Sequence, residues 1–308
     1  MGSQENIYYC NPVFRPPSEH NSLLIQLTEG CTFKCDFCVS NLRKNFKIRS
    51  VDEVKRDLDI GARSKYSSSV HKLFFLDGSA MVTPVVKLLE LTNYAMKIFP
   101  NLERVGVYAH AKDILKKSDE NLKALSDAGL KIAYIGFESG SDELLEMVHK
   151  NATKMDFINA SKKLMKANIT LSATFINGLG GAYNESVSKT HALESADLVN
   201  KICPNDERIW YIAFLTLMAP PGTVIQEKIL RNEFKEMKSY EILSELKLFI
   251  ETINFTNKSA NCIFRSNHAS NYLPIKGVLE RDKSKILNLI EYGLNNINTL
   301  KPEHYRAL

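Results

Sequence analysis

The chain has 308 residues, 44% hydrophobic and 24% charged, with 40 basic against 35 acidic side chains and a formal charge of +5. That balance suits a globular chain with one large core or two modest ones, and it is too mild for an obligate nucleic-acid binder while still suiting an anionic small substrate. No apolar run approaches the ~18 residues of a membrane span, and the polar stretch Met1–Asn6 has no apolar signal core; with six cysteines this leads us to expect a reducing, cytoplasmic setting.

In chain order, short apolar runs alternate with amphipathic stretches, the pattern of repeated strand-helix units around a parallel sheet. Strands are expected near Leu23 to Leu27, Lys72 to Leu76, Arg104 to Ala109, Ile132 to Phe137, Thr170 to Ile176 and Ile209 to Leu217. Ser50 and Glu53 form a capping box that opens a helix toward Tyr66, and Pro84 sits in the first turn of a helix over Val85 to Ile98. Ser118, Thr153 and Asn184 are N-cap candidates for three more, and Gly129 supplies a stop before the fourth strand. Six units are two short of a closed eightfold barrel, so the expected fold is α/β, a partial (β/α)6 TIM barrel. Residues 1–220 would form that barrel with its N-terminal segment. Residues 221–308, with helical patterns near Tyr240 to Phe255 and Lys283 to Asn296, would form a C-terminal helical extension packed on it and covering its open side.

The first strand runs directly into Gly30-Cys-Thr-Phe-Lys-Cys-Asp-Phe-Cys-Val39, which places Cys31, Cys35 and Cys38 in one loop. Three thiolates cannot close a tetrahedral site, whereas a C-x3-C-x2-C loop can hold three irons of a [4Fe-4S] cube and leave the fourth open. Structural zinc would need a further ligand from Cys10, Cys203, Cys262 or one of the seven histidines, all at irregular separations.

In a parallel barrel, chemistry collects at the carboxyl ends of the strands. The unusual residues of this chain fall there: Asp77-Gly78-Ser79 after strand two, Tyr108-Ala-His110 at strand three and Glu138-Ser139-Gly140 at strand four. Asn177-Gly178-Leu-Gly-Gly181 and Leu217-Met218-Ala-Pro-Pro-Gly222 follow strands five and six. Taken singly, Gly-Leu-Gly-Gly reads as a tight turn, Glu138 as a helix cap, and Tyr108 and His110 as satisfied barrel residues.

Together these motifs resemble the radical S-adenosylmethionine (radical SAM) superfamily over about residues 20 to 220. Phe37 matches the aromatic residue before the last cysteine, Asp77-Gly78-Ser79 loosely matches the glycine-rich motif, and Glu138-Ser139-Gly140 is similar to the methylthiotransferase and Elongator-like branch. The resemblance implies a [4Fe-4S] cluster on Cys31, Cys35 and Cys38, and S-adenosylmethionine bound to its open iron and cleaved reductively to a 5'-deoxyadenosyl radical. It further implies an electron donor such as flavodoxin or ferredoxin. Asp77, Gly78 and Ser79 would meet the methionyl amine, and Glu138 and Ser139 the ribose or methionine moiety. Asn177 and Gly178, with backbone groups of Leu217 and Met218, would hold the adenine beside Phe37, and Tyr108 would complete the cofactor wall.

For the substrate, the segment Cys262-Ile-Phe-Arg-Ser-Asn-His-Ala-Ser-Asn-Tyr-Leu-Pro274 offers a short strand followed by Arg265, Asn267, His268, Asn271 and Tyr272, side chains that can read a polar ligand or simply cap a loop. His110 would face the same substrate, and Lys44, Lys47 and Arg49 could meet a phosphate or be solvated surface charge. Arg15-Pro-Pro-Ser-Glu19 and the polar tail resemble a compact group of radical SAM proteins. Within it the expected activity is a queuine lyase that releases queuine from queuosine or its 5'-monophosphate. A coproporphyrinogen oxidase-like enzyme and a non-catalytic iron-sulfur or zinc scaffold are the alternatives.

Overall fold

The computed structural model describes residues 6–40, 42 and 44–307, so the polar stretch Met1–Asn6 lies, apart from Asn6, outside the described residues. Among the described residues the strands are β1 (Leu23–Gln26), β2 (Thr28–Glu29), β3 (Lys47–Ile48), β4 (Lys72–Leu76), β5 (Arg104–Ala109), β6 (Leu130–Glu138), β7 (Thr170–Asn177), β8 (Ile209–Thr216), β9 (Asn261–Ser266) and β10 (Ile275–Val278). The α-helices among these residues are α1 (Val51–Arg63), α2 (Val85–Ile98), α3 (Ala111–Leu115), α4 (Asp119–Asp127), α5 (Asp142–Met147), α6 (Lys154–Lys166), α7 (Glu185–Lys201), α8 (Val224–Leu230), α9 (Ser239–Thr252) and α10 (Leu279–Asn295).

The main sheet has the order β1-β4-β5-β6-β7-β8-β9-β10, and β2 pairs with β3 separately. Neighbours run parallel from β1 to β6 and from β7 to β9, and β10 turns back antiparallel on β9. Among the described residues β1 and β10 do not pair, so the sheet is open: this is the parallel α/β sheet of a partial barrel.

Contacts divide the chain into two units, and the boundary crosses β6. The first comprises residues 1–34, 40–135 and 162–171. Its strands are near-continuous apolar runs, as strands covered on both faces must be, and Leu73, Phe74, Phe75, Val105 and Val107 are fully buried. Helix α1 starts where its capping box predicts, with Glu53 N donating to Ser50 Oγ at 3.2 Å and Ser50 N to Glu53 Oε2 at 2.7 Å. Buried Glu19, in the short turn before β1, accepts from Arg104 Nη2 at 2.7 Å and from the Tyr134 hydroxyl, so the N-terminal segment is tied to β5 and β6.

The second unit comprises residues 35–39, 136–161 and 172–308. Its core is a run of aromatic pairs, Phe137 to Phe175 to Phe214 to Phe249, with ring centroids 5.6, 5.2 and 4.6 Å apart. Asn184 caps α7 by accepting from Ser186 N at 3.0 Å, and Thr153 and Asp156 cap α6 reciprocally. The segment after Gly222 is not purely helical, which corrects the sequence expectation. It adds β9 beside β8 and then β10, and α9 and α10 pack in the same unit. The four residues Ile275-Lys-Gly-Val278 are too short and too polar to show a strand pattern.

Candidate active site

Cys31, Cys35 and Cys38 are in no disulfide among the described residues, and all three are partly exposed. Cys31 belongs to the first unit. There Gly78 has φ +41°, and a Cβ on it would fall 2.2 Å from the Gly30 carbonyl oxygen and 2.8 Å from Cys31 Cβ. Only glycine lets the Asp77-Gly-Ser turn approach the loop this closely. Asp77, almost fully buried, takes a salt bridge from Lys44 Nζ at 2.5 Å and a hydrogen bond from Gln26 Nε2 at 3.2 Å, while its carbonyl accepts from Thr28 Oγ1 at 2.7 Å. The Ser79 hydroxyl donates to Asp113 at 2.7 Å and accepts from His110 N at 3.0 Å, so its side chain shapes the turn. Burial raises the Asp113 carboxyl, and the Ser79 hydrogen bond opposes that. His110 caps α3 and stacks on Phe33 with ring centroids 3.6 Å apart. Tyr108 sits edge-on to Phe74 at 4.9 Å.

Cys35 and Cys38 belong to the second unit, where the intervening Asp36 anchors the turn. Its buried carboxylate receives Lys228 Nζ at 2.6 Å and His149 Nδ1 at 2.7 Å, and its backbone pairs with Val148 O and Ile225 N. Phe37 packs on a cluster of Leu144, Val148, Ile176, Leu179, Leu217 and Ile225. Behind it Lys150, missed in the sequence, donates to Glu138 Oε1 at 2.8 Å, with both side chains more than nine-tenths buried. Burial alone would push the Lys150 ammonium down, yet Glu138, Cys35 and Cys38 hold it above the ordinary lysine value. Glu138 has φ +65°, a left-handed conformation that aims its carboxylate at that lysine. No sequence pattern marks Lys150, because its partner is set by the turn after β6.

The remaining expected cofactor residues differ in how free they are. Ser139 is fully buried; it accepts from Ser141 N at 3.0 Å and pairs with His191 Nδ1 at 2.8 Å. The Gly178 amide donates to Glu245 Oε1 at 2.7 Å, and its carbonyl accepts from Gly181 N at 3.0 Å. Leu217 N donates to Asn177 O at 2.9 Å, and Leu217 O accepts from Arg306 Nη2 at 2.7 Å. Gly178 and Leu217 thus have both backbone groups engaged within the protein, each carbonyl keeping a second lone pair. Met218 is partly exposed. Asn177 is 1% exposed and its Oδ1 has no partner, an acceptor left for a ligand or water.

Of the expected anion pair, Arg49 is engaged within the protein and Lys47 stays half exposed. Arg49 is buried against Asp57 at 2.7 Å and Gln26 O at 2.7 Å, and Lys47 is held by Glu53 at 3.1 Å. Of the tail residues, Asn271 spends its amide on Phe214 O and Thr216 Oγ1, at 2.8 and 2.9 Å. His268 is partly buried, with Nδ1 2.9 Å from Ser270 Oγ, and burial lowers its pKa. Arg265 and Asn267 are exposed. Only Tyr272 of this set lines the cavity of about 680 Å3 in the second unit, together with Gly178, Leu217, Ile242, Lys238 and Arg306. Its hydroxyl donates to Glu303 at 2.6 Å and accepts from Arg306 Nη1 at 2.7 Å.

The donor chemistry fits an iron-sulfur cluster: three partly exposed thiols in one loop, two of them near a buried ammonium. An open parallel α/β sheet with these thiols after its first strand and polar turns after the others defines a redox-cofactor enzyme of the barrel class. Residues 25–193, more than half of the chain, match the Radical SAM superfamily model, and the chain belongs to that superfamily, whose members use a [4Fe-4S] cluster and S-adenosylmethionine.

Among curated proteins, the chain is 22% identical over 262 residues to an uncharacterized methyltransferase of Pyrococcus horikoshii, covering 83% of this chain and 52% of that one. It is 29% identical over 190 residues to the tRNA-2-methylthio-N(6)-dimethylallyladenosine synthase of Finegoldia magna, covering 58% and 38%. The chain thus spans about half or less of these relatives' length. Among solved structures, methylornithine synthase is similar over 88% of this chain and 81% of that one, with TM-score 0.51 and 14% identity. The radical S-adenosylmethionine methyltransferase TsrM of Kitasatospora setae matches over 75% and 44%, with TM-score 0.53 and 16% identity. These likenesses show the fold.

Proposed function

We propose that the protein is a radical SAM lyase that acts on a modified nucleoside or nucleotide and releases queuine from queuosine or its 5'-monophosphate. The observation that carries the substrate class is the cavity at the carboxyl ends of β7 and β8. At about 680 Å3 it lies within the range that holds a nucleoside-sized ligand. Its wall combines apolar Leu217, Ile242 and Leu300 with the polar groups of Tyr272, Lys238 and Asn298, the mixture that buries a heterocycle and orients a sugar.

Cys31, Cys35 and Cys38 would hold the cluster, which with S-adenosylmethionine would supply the radical chemistry for cleaving a C–N glycosidic bond at the ribose. The chain's part is to place the ligand and exclude water. Asn177 Oδ1 would offer the cofactor an acceptor. With Arg49 buried, Lys238 and Lys301 at the cavity wall take over the expected role of phosphate contacts. An electron donor such as flavodoxin or ferredoxin would supply the reducing equivalent.

Transfer of a methyl or methylthio group to a nucleoside is the second reading, favoured by the names of the relatives. The two separate by product mass. Incubated anaerobically with S-adenosylmethionine, dithionite and a nucleoside panel, the reconstituted enzyme is expected to release free queuine; a nucleoside gaining a methyl or methylthio mass would replace our reading with the second.

A further inference from the structure

His191 on α7 and Glu245 on α9 are both essentially buried, at 1% and 4% exposure. Around them runs a chain of hydrogen bonds within the second unit. Gly140 N donates to Ser195 Oγ at 2.8 Å, Ser195 Oγ lies 3.4 Å from His191 Nδ1, and His191 Nδ1 pairs with Ser139 Oγ at 2.8 Å. On the far side, His191 Nε2 lies 3.7 Å from Glu245 Oε1. That carboxylate accepts from Gly178 N at 2.7 Å and from Ser188 Oγ at 2.5 Å.

Ser139 Oγ also accepts from Ser141 N at 3.0 Å, and burial lowers the His191 pKa. The imidazole and the carboxylate thus sit between two turns that come from different strands, with His191 paired to Ser139 and Glu245 accepting from Gly178 N. One turn holds Glu138, Ser139 and Gly140; the other holds Asn177 and Gly178. Both are the turns that the superfamily resemblance assigns to S-adenosylmethionine. Gly178 has φ +77°, and a Cβ on it would fall 2.5 Å from Ile242 Cδ1, so the turn as built requires glycine there.

We propose that His191 and Glu245 are positioning residues that lock these two turns in register, and that cofactor affinity depends on them although neither touches the cofactor. The inference rests on membership of the radical SAM superfamily and is independent of the nucleoside substrate.

The test compares Glu245→Leu, Glu245→Gln and Leu246→Ala in the iron-reconstituted protein, and follows S-adenosylmethionine binding by the change in the reduced cluster's EPR signal. Leu246 is buried on the same helix, outside the hydrogen-bonded chain. Glu245→Leu should keep its iron and weaken binding by about tenfold or more, the size of a lost buried hydrogen bond. Glu245→Gln retains an acceptor for Gly178 N and should stay within about threefold of the parent. Leu246→Ala should lower the melting temperature and leave binding unchanged. In the iron-free chain, amide exchange over residues 176–181 should quicken in Glu245→Leu only. Parental binding in Glu245→Leu would overturn the proposal, as would an equal loss in Leu246→Ala. His191→Phe is judged by the same two outcomes should Glu245→Leu fail to fold.

Discussion

Lys150 and Glu138 share a buried site beside Cys35 and Cys38, where each charge is tolerable only because the other is present. Lys150→Met would strand the Glu138 carboxylate and should cost about 3–5 kcal/mol in urea unfolding of the iron-free protein. Adding Glu138→Gln to it should recover much of that loss; a double variant no better than the single would show that the pair is not coupled. The cysteines carry a different expectation: replacing Cys31, Cys35 or Cys38 with Ala should remove iron and abolish 5'-deoxyadenosine formation, measured by iron analysis and mass spectrometry. Those cysteines were legible in the sequence because cluster ligands declare themselves by local spacing. Lys150, His191 and Glu245 were not, because what matters about each is its buried partner. Arg49 failed for the same reason: the sequence shows its charge and hides Asp57 against it.

Elements were more legible than side-chain roles. The six expected parallel strands all form, since a strand buried on both faces must be a continuous apolar run, and α1, α4, α6 and α7 begin at the capping residues the sequence displays. The strand Ile275–Val278 stayed hidden because an edge of four residues with an exposed Lys has no period to read. The cap of α1 also carries a pH dependence. Hydrogen bonds from the Ser50 backbone and side chain, then from Lys47, lower the Glu53 carboxyl to about 2 from an ordinary 4.5. Its stabilisation is therefore fully present above about pH 4.5 and is lost as the pH falls toward 2. Ser50→Ala should cost about 1 kcal/mol at neutral pH, and its deficit against the parent, followed by thermal melts, should shrink below pH 4. A deficit independent of pH would mean that Glu53 plays no part in the cap.

At the scale of the whole chain, the segment after residue 296 forms part of the wall of the cavity proposed to take the substrate. Arg306 does much to tie it down, donating to Ser270 O, Leu217 O and the Tyr272 hydroxyl at 2.7 Å each and to Glu303. Arg306→Met should therefore raise KM for the nucleoside several-fold while 5'-deoxyadenosine still forms in its absence; an unchanged KM would remove this wall from the substrate site. Among the described residues no helix is long and apolar enough to cross a membrane. The central claim, that a radical made from S-adenosylmethionine attacks the ribose of a queuosine-type nucleoside, is tested most directly with substrate deuterated on the ribose, under anaerobic turnover. The account predicts that deuterium appears in 5'-deoxyadenosine as queuine is released. Protium-only 5'-deoxyadenosine with the nucleoside recovered intact would contradict it.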